Sequence, residues 1–111
     1  MASLKSQSCE ACQIGAPKVS ENELDELLLE IEEWTLIKEP IKKLQKVFNF
    51  KNYKDSLNFS IKIAKLADEE DHHPQIILEW GKVTVTWWSH KIERLHHNDF
   101  ICAAKTDQLF K

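Results

Sequence analysis

The sequence predicts an α+β fold in the order αββαββα, with a four-stranded antiparallel sheet and the helices packed on one face. Three segments place apolar residues at helical spacing, and two pairs of short β-rich runs each join through a turn. A length of 111 residues fits one domain and leaves little room for a second.

The elements follow in order. Residues 1–18 are rich in Ser and Gln, contain Gly15 and Pro17 and show no periodicity. They read as a poorly ordered arm ahead of a domain over residues 19–111. Ser20-Glu21-Asn22-Glu23 has the form of a capping box, with Val19 and Leu24 as its hydrophobic staple. Leu24, Leu27, Leu28 and Ile31 then form one apolar stripe of a helix expected to end near Trp34. Thr35 to Glu39 and Leu44 to Phe50 are two strand candidates joined around Pro40. A second helix is expected from about Asn52 to Asp68, burying Tyr53, Leu57, Ile61 and Ala64 with the flanking Phe59, Ile63 and Leu66. Pro74 forbids its continuation. The Asp68-Glu69-Glu70-Asp71 run at its end opposes the helix dipole, which suits a solvated loop or a role beside the histidines. Ile76 to Trp80 and Val83 to Ser89 make a hairpin, with Gly81-Lys82 as its two-residue turn. That register sets Trp80 opposite Val83, Leu78 opposite Val85 and Ile76 opposite Trp87, all on the covered face. Glu79, Thr84, Thr86 and Trp88 fall on the other face. A last helix runs from about His97 to Phe110 and carries Phe100, Ile101, Ala103, Ala104 and Leu109.

Composition narrows the function class. Hydrophobic residues are 42% and charged residues 30% of the chain, as in an ordinary globular protein. No apolar run is long enough to span a bilayer. Fifteen Lys and Arg against eighteen Asp and Glu, for a formal charge of −3, lack the basic footprint of a nucleic-acid binder. The N-terminus has no signal-peptide core, and three cysteines make an odd count that argues against a disulfide framework. A reduced, cytoplasmic chain is therefore expected. Cys9-Glu10-Ala11-Cys12 has the spacing of half a zinc site, but no second such pair exists. Reduced thiols are the simpler reading.

All five histidines lie between positions 72 and 97. Pro74 pushes His73 into extended geometry, so the rings of His72 and His73 should point to different sides. His72, His90 and Asp99 could instead converge at one edge of the sheet. Such a cluster suits proton transfer near neutral pH. The same residue types could also bind iron or zinc, or sit inertly on the surface. His96-His97 is expected on the surface at the start of the last helix, so His96→Ala should do little.

The ordered set of these residues narrows the choice. Asp68, then Asp71-His72-His73-Pro74, the Val83-Thr84-Val85-Thr86 strand, Ser89-His90 and Asp99 resembles the pterin-4a-carbinolamine dehydratase family. Eighteen positions separate His72 from His90 and nine separate His90 from Asp99, as in that family. The resemblance runs from Val19 to about Phe110 and includes Trp34 and the Phe48-Asn49-Phe50-Lys51-Asn52-Tyr53 stretch. Asp68 stands where Glu is common, Ile76 where an aromatic is frequent, Ser89 where Thr is common, and Trp88 in place of a small residue.

The resemblance implies a lyase with no cofactor and no metal, dehydrating 4a-hydroxytetrahydrobiopterin or a related pterin to quinonoid dihydropterin. It makes His72 and His90 the catalytic pair, with Asp99 orienting or charging His90. His73 would hold the pterin ring, and Asp71, Trp88, Ser89 and Lys91 would line the pocket. It also implies a homodimer or homotetramer and a functional link to an aromatic amino acid hydroxylase. Neither nucleic acid nor membrane is an expected partner. A different reading within the same resemblance is a protein-binding or dimerisation module whose catalysis is secondary.

Overall fold

A computed structural model describes residues 23–89 and 95–110, together with the backbone of residues 21 and 22. Its elements are α1 (Glu21–Leu29), β1 (Thr35–Ile37), β2 (Lys43–Asn49), α2 (Tyr53–Glu70), β3 (Gln75–Glu79), β4 (Lys82–Trp87) and α3 (His97–Phe110). The four strands form one antiparallel sheet in the order β1-β2-β4-β3. The fold is α+β in the expected order. Among the described residues no helix is long and apolar enough to cross a membrane.

One face of the sheet is covered because its strands alternate. Leu44, Phe48, Val83, Val85 and Trp87 are fully buried on it, as the period of two requires. Phe48 sits at the centre, its ring centroid 4.8 Å from Phe59 of α2 and 5.0 Å from Phe110 of α3. Trp34 meets the same ring edge-on at 6.0 Å, an arrangement aromatic quadrupoles favour. Leu24 and Leu27 bring α1 into this core. Side chains of α2, α3 and the stretch after α1 thus meet on one aromatic.

α1 stops at Leu29 rather than near Trp34. The chain continues in tight turns, with Glu30 N–H donating to Leu27 O at 3.1 Å and Ile31 N–H to Leu28 O at 3.2 Å. Such three-residue turns commonly end a helix. This one rotates Ile31 and Trp34 into the core. The Trp34 indole then donates to Asp107 of α3, which also accepts from Lys46 of β2 at 2.8 Å.

Two further expectations need correction. The first is the buried side of α2. Ser56, Phe59, Ile63, Leu66 and Ala67 face the sheet, whereas Tyr53, Leu57, Ile61 and Ala64 are exposed. The helix carries two apolar stripes, and a single helix can turn only one toward one sheet. The aromatic Phe59, wedged between Phe48 and Phe50, decides which.

The second is the hairpin register. Leu78 pairs with Val83 and Ile76 with Val85, so the turn is Trp80-Gly81 instead of Gly81-Lys82. Trp80 leaves the covered face and is 68% exposed. A slip of two residues keeps every other side chain on its intended face, which is why the alternation could not reveal it. The residue after β2 fixes the turn: Phe50 N–H donates to Gly81 O at 2.8 Å. A Cβ at Gly81 would stand 3.2 Å from Phe50 O, so the absence of a side chain permits this approach.

Candidate active site

The end of α2 delivers His72 inward. Asp71 adopts the left-handed conformation, φ 50° and ψ 43°. Asp71 N–H donates to Asp68 O at 3.3 Å and His72 N–H to Ala67 O at 3.1 Å. This is a Schellman motif, normally built on Gly; Asp is among the few other residues that tolerate the conformation. It satisfies two terminal carbonyls and reverses the chain, so that His72 points at the sheet while α2 stops.

His72 is 6% exposed and lies over Trp87 of β4, ring centroids 5.6 Å apart and planes 15° from parallel. Its Nε2 is 2.6 Å from Asp99 Oδ1. Asp99 is fully buried at the start of α3. Its Oδ2 accepts from Ser89 Oγ at 2.8 Å and from His96 N–H at 2.8 Å. A carboxylate surrounded by donors accepts from each, so the His72 proton on this side belongs to Nε2. Nδ1 is the ring nitrogen that does not face Asp99. Three segments therefore converge on the His72–Asp99 pair: the end of α2, the stretch following β4, and the N-terminus of α3.

His73 behaves differently from its neighbour. Its side chain is 60% exposed, with Nε2 3.2 Å from Asp68 Oδ1. Asp71 is exposed, and Trp88 is half-buried with Lys43 Nζ 4.2 Å above its ring. His90 and Lys91 lie outside the described residues, as do Ser20 of the capping box and Cys9 and Cys12 of the arm. The expected contact of Asp99 with His90 is thus untested, while its contact with His72 is direct.

The expectation for His96-His97 is overturned. His96 is 4% exposed, and His97 is half-buried with an Nε2 that has no hydrogen-bond partner among the described residues. His96 Nδ1 accepts from Asn98 N–H at 3.0 Å, so the residue caps α3. Histidine is outside the Ser, Thr, Asp and Asn set that marks helix starts, and two adjacent histidines resemble surface. The available signal was Asp99, three residues after His96, which is the spacing of a capping box. Trp87 was placed correctly on the covered face, but its stacking on His72 depends on the Schellman turn. Among the described residues no three His, Cys, Asp or Glu side chains are grouped to hold a metal ion.

With this geometry in view, the comparisons with known proteins are direct. The sequence profile of the pterin 4 alpha carbinolamine dehydratase family matches residues 17–109. The chain belongs to this family. A transcriptional coactivator/pterin dehydratase from Brucella melitensis has a similar fold, with a TM-score of 0.79 over 86% of this chain and 100% of its own, at 23% identity. A pterin dehydratase-like protein identified as a RuBisCO assembly factor in the alpha-carboxysome matches at a TM-score of 0.61 and 28% identity. That match covers 70% of this chain and 89% of the other. Pterin-dehydratase folds thus include proteins described by quite different roles, and the site chemistry must separate them.

Proposed function

We propose that this chain dehydrates a 4a-hydroxytetrahydropterin to quinonoid dihydropterin and water by histidine acid–base catalysis. The observation that supports it best is the buried His72–Asp99 pair at 2.6 Å. The reaction breaks the C4a–O bond and removes the N5 proton, and an N5=C4a double bond forms. Hydroxide leaves as water once an acid protonates it, so one acid and one base suffice. Asp99 holds His72 in a single tautomer and stabilises its imidazolium, the service a carboxylate renders an imidazole in many hydrolytic sites. His72 then exchanges its proton through Nδ1. His90, which the family pattern pairs with it, supplies the opposite role. His73, exposed beside the buried His72, suits a contact with the ring. Asp71, Trp88, Ser89 and Lys91 are its proposed surroundings, although Ser89 acts on Asp99 and through it on His72.

The test is a coupled assay with an aromatic amino acid hydroxylase, following decay of the 4a-hydroxypterin it releases. The chain should accelerate that decay well above the spontaneous rate. Decay at the spontaneous rate, with folded protein in excess, would sink the proposal.

A second reading is supported by α2. Tyr53, Leu57 and Ile61 form an exposed stripe at a spacing of four. A stripe of this kind on a surface helix favours association, and we propose that the chain forms a homodimer or homotetramer. A protein-binding role with secondary catalysis would use the same surface.

A further inference from the structure

We infer that His96 is a positioning residue, whose unprotonated Nδ1 caps α3 and thereby fixes Asp99 against His72. Its expected effect on rate rests on the dehydratase reading; its effect on His72 rests on geometry alone. Three bonds tie residue 96 to the first turn. Asn98 N–H donates to its Nδ1 at 3.0 Å, its own N–H donates to Asp99 Oδ2 at 2.8 Å, and Asp99 N–H donates to its carbonyl at 2.9 Å. The second is one half of a capping box; the first is an N-cap bond in which the His ring takes the N–H of Asn98, with His in the place usually held by Ser or Thr.

Two consequences follow from the chemistry of the ring. An accepting Nδ1 bears no proton, so neutral His96 keeps its proton on Nε2. Burial of His96 also makes the loss of this acceptor costly to the first turn. The first N–H groups of a helix have no internal partner; here that of His96 goes to the Asp99 carboxylate and that of Asn98 to the His96 ring. Asp99 closes the cap through Oδ2 and holds His72 through Oδ1. One side chain therefore couples the start of α3 to the proposed acid–base group. When the cap is lost, the first turn loosens and Asp99 no longer dictates the His72 tautomer.

The test uses the full chain with 15N-labelled histidine, comparing wild type, His96→Ala and His96→Asn. Imidazole nitrogen spectra above the histidine titration range report the tautomer of each ring, and the coupled assay reports kcat and KM. In the wild type we expect the proton on Nε2 of both His96 and His72. In His96→Ala, His72 should lose its single tautomer, and kcat should fall about tenfold with KM changed less than about twofold. Asn is a strong N-cap, so His96→Asn should retain the wild-type His72 spectrum and rate. A proton on His96 Nδ1 in the wild type would overturn the inference. So would an unchanged His72 spectrum in folded His96→Ala, or a His96→Asn variant as impaired as His96→Ala. Should His96→Ala not fold, the wild-type tautomer and His96→Asn still decide. Tautomers as stated without any pterin turnover would leave His96 in its role and remove the dehydratase reading instead.

Discussion

With Asp99 fully buried, truncating His72 strands a carboxylate away from water. Breaking a buried pair in this way costs on the order of 3 kcal/mol, so His72→Ala confounds stability with chemistry. His72→Gln keeps a donor for Asp99 and cannot shuttle a proton. We expect it to remain folded and to lose about a hundredfold to ten-thousandfold in kcat. His73→Ala should raise KM more than it lowers kcat, because that ring is exposed and turned from Asp99. Equal losses of kcat in the two variants would mean that both rings serve the chemistry. Lys46 offers a test of a different kind. Burial works to lower its pKa, but hydrogen bonds and charge from Asp107 and Glu33 outweigh it and raise the value above the usual lysine range. A raised pKa stabilises the fold fully below the unfolded-state value and loses that contribution as pH rises through the folded one. The stability gap between wild type and Lys46→Met, measured by denaturant titration, should therefore shrink as pH climbs past the lysine range. A gap that widened there would reverse the sign of this argument.

At the scale of elements, two terminations shape the site. Asp71 in the left-handed region lets α2 end and turn His72 inward. A β-branched residue is poorly suited to that conformation, so Asp71→Val should cost about 1–2 kcal/mol, visible as a lowered thermal midpoint. If Asp71→Val melted like the wild type, the Schellman turn would not be what fixes His72. The Pro74 signal correctly placed the end of the helix, and the acidic run before it tolerated an unfavourable dipole. Part of that charge is answered across elements, since Glu70 pairs with Lys105 of α3. Sequence reasoning could not see the pair, because its partners are far apart in the chain. The β3–β4 hairpin is the complementary case: its existence and faces were legible in the alternation, but its turn was set by Phe50, the residue after β2.

For the whole molecule, the exposed α2 stripe and the short open sheet make self-association the expected state. Edge strands must be paired, covered or charged, and β1 and β3 are the edges here. Light scattering at micromolar concentration should give a mass of two or four chains, and Leu57→Glu should lower it without unfolding the protein. A wild-type monomer would remove the proposal. On the proposed mechanism, dehydratase activity of the purified protein should persist in excess EDTA. Activity lost on chelation and restored by one particular metal would require a different mechanism.

The sequence by itself determined the class, the order of the elements and which face of β4 is buried, because these follow from local periodicity and punctuation. It also allowed His72, His90 and Asp99 to converge at one edge of the sheet, but the family pattern assigned Asp99 to His90, and the direct bond of Asp99 to His72 came from the structure. Tertiary structure decided what spacing leaves open. Which of two apolar stripes on α2 turned inward depended on Phe59 meeting Phe48 and Phe50. Whether the turn after β3 fell at Gly81-Lys82 or Trp80-Gly81 depended on a backbone bond from the residue after β2. His96, read as surface, became a buried cap because the first turn of α3 needed an acceptor where the carboxylate of Asp99 was already engaged. In each case the local pattern allowed two answers, and contacts between distant segments chose one.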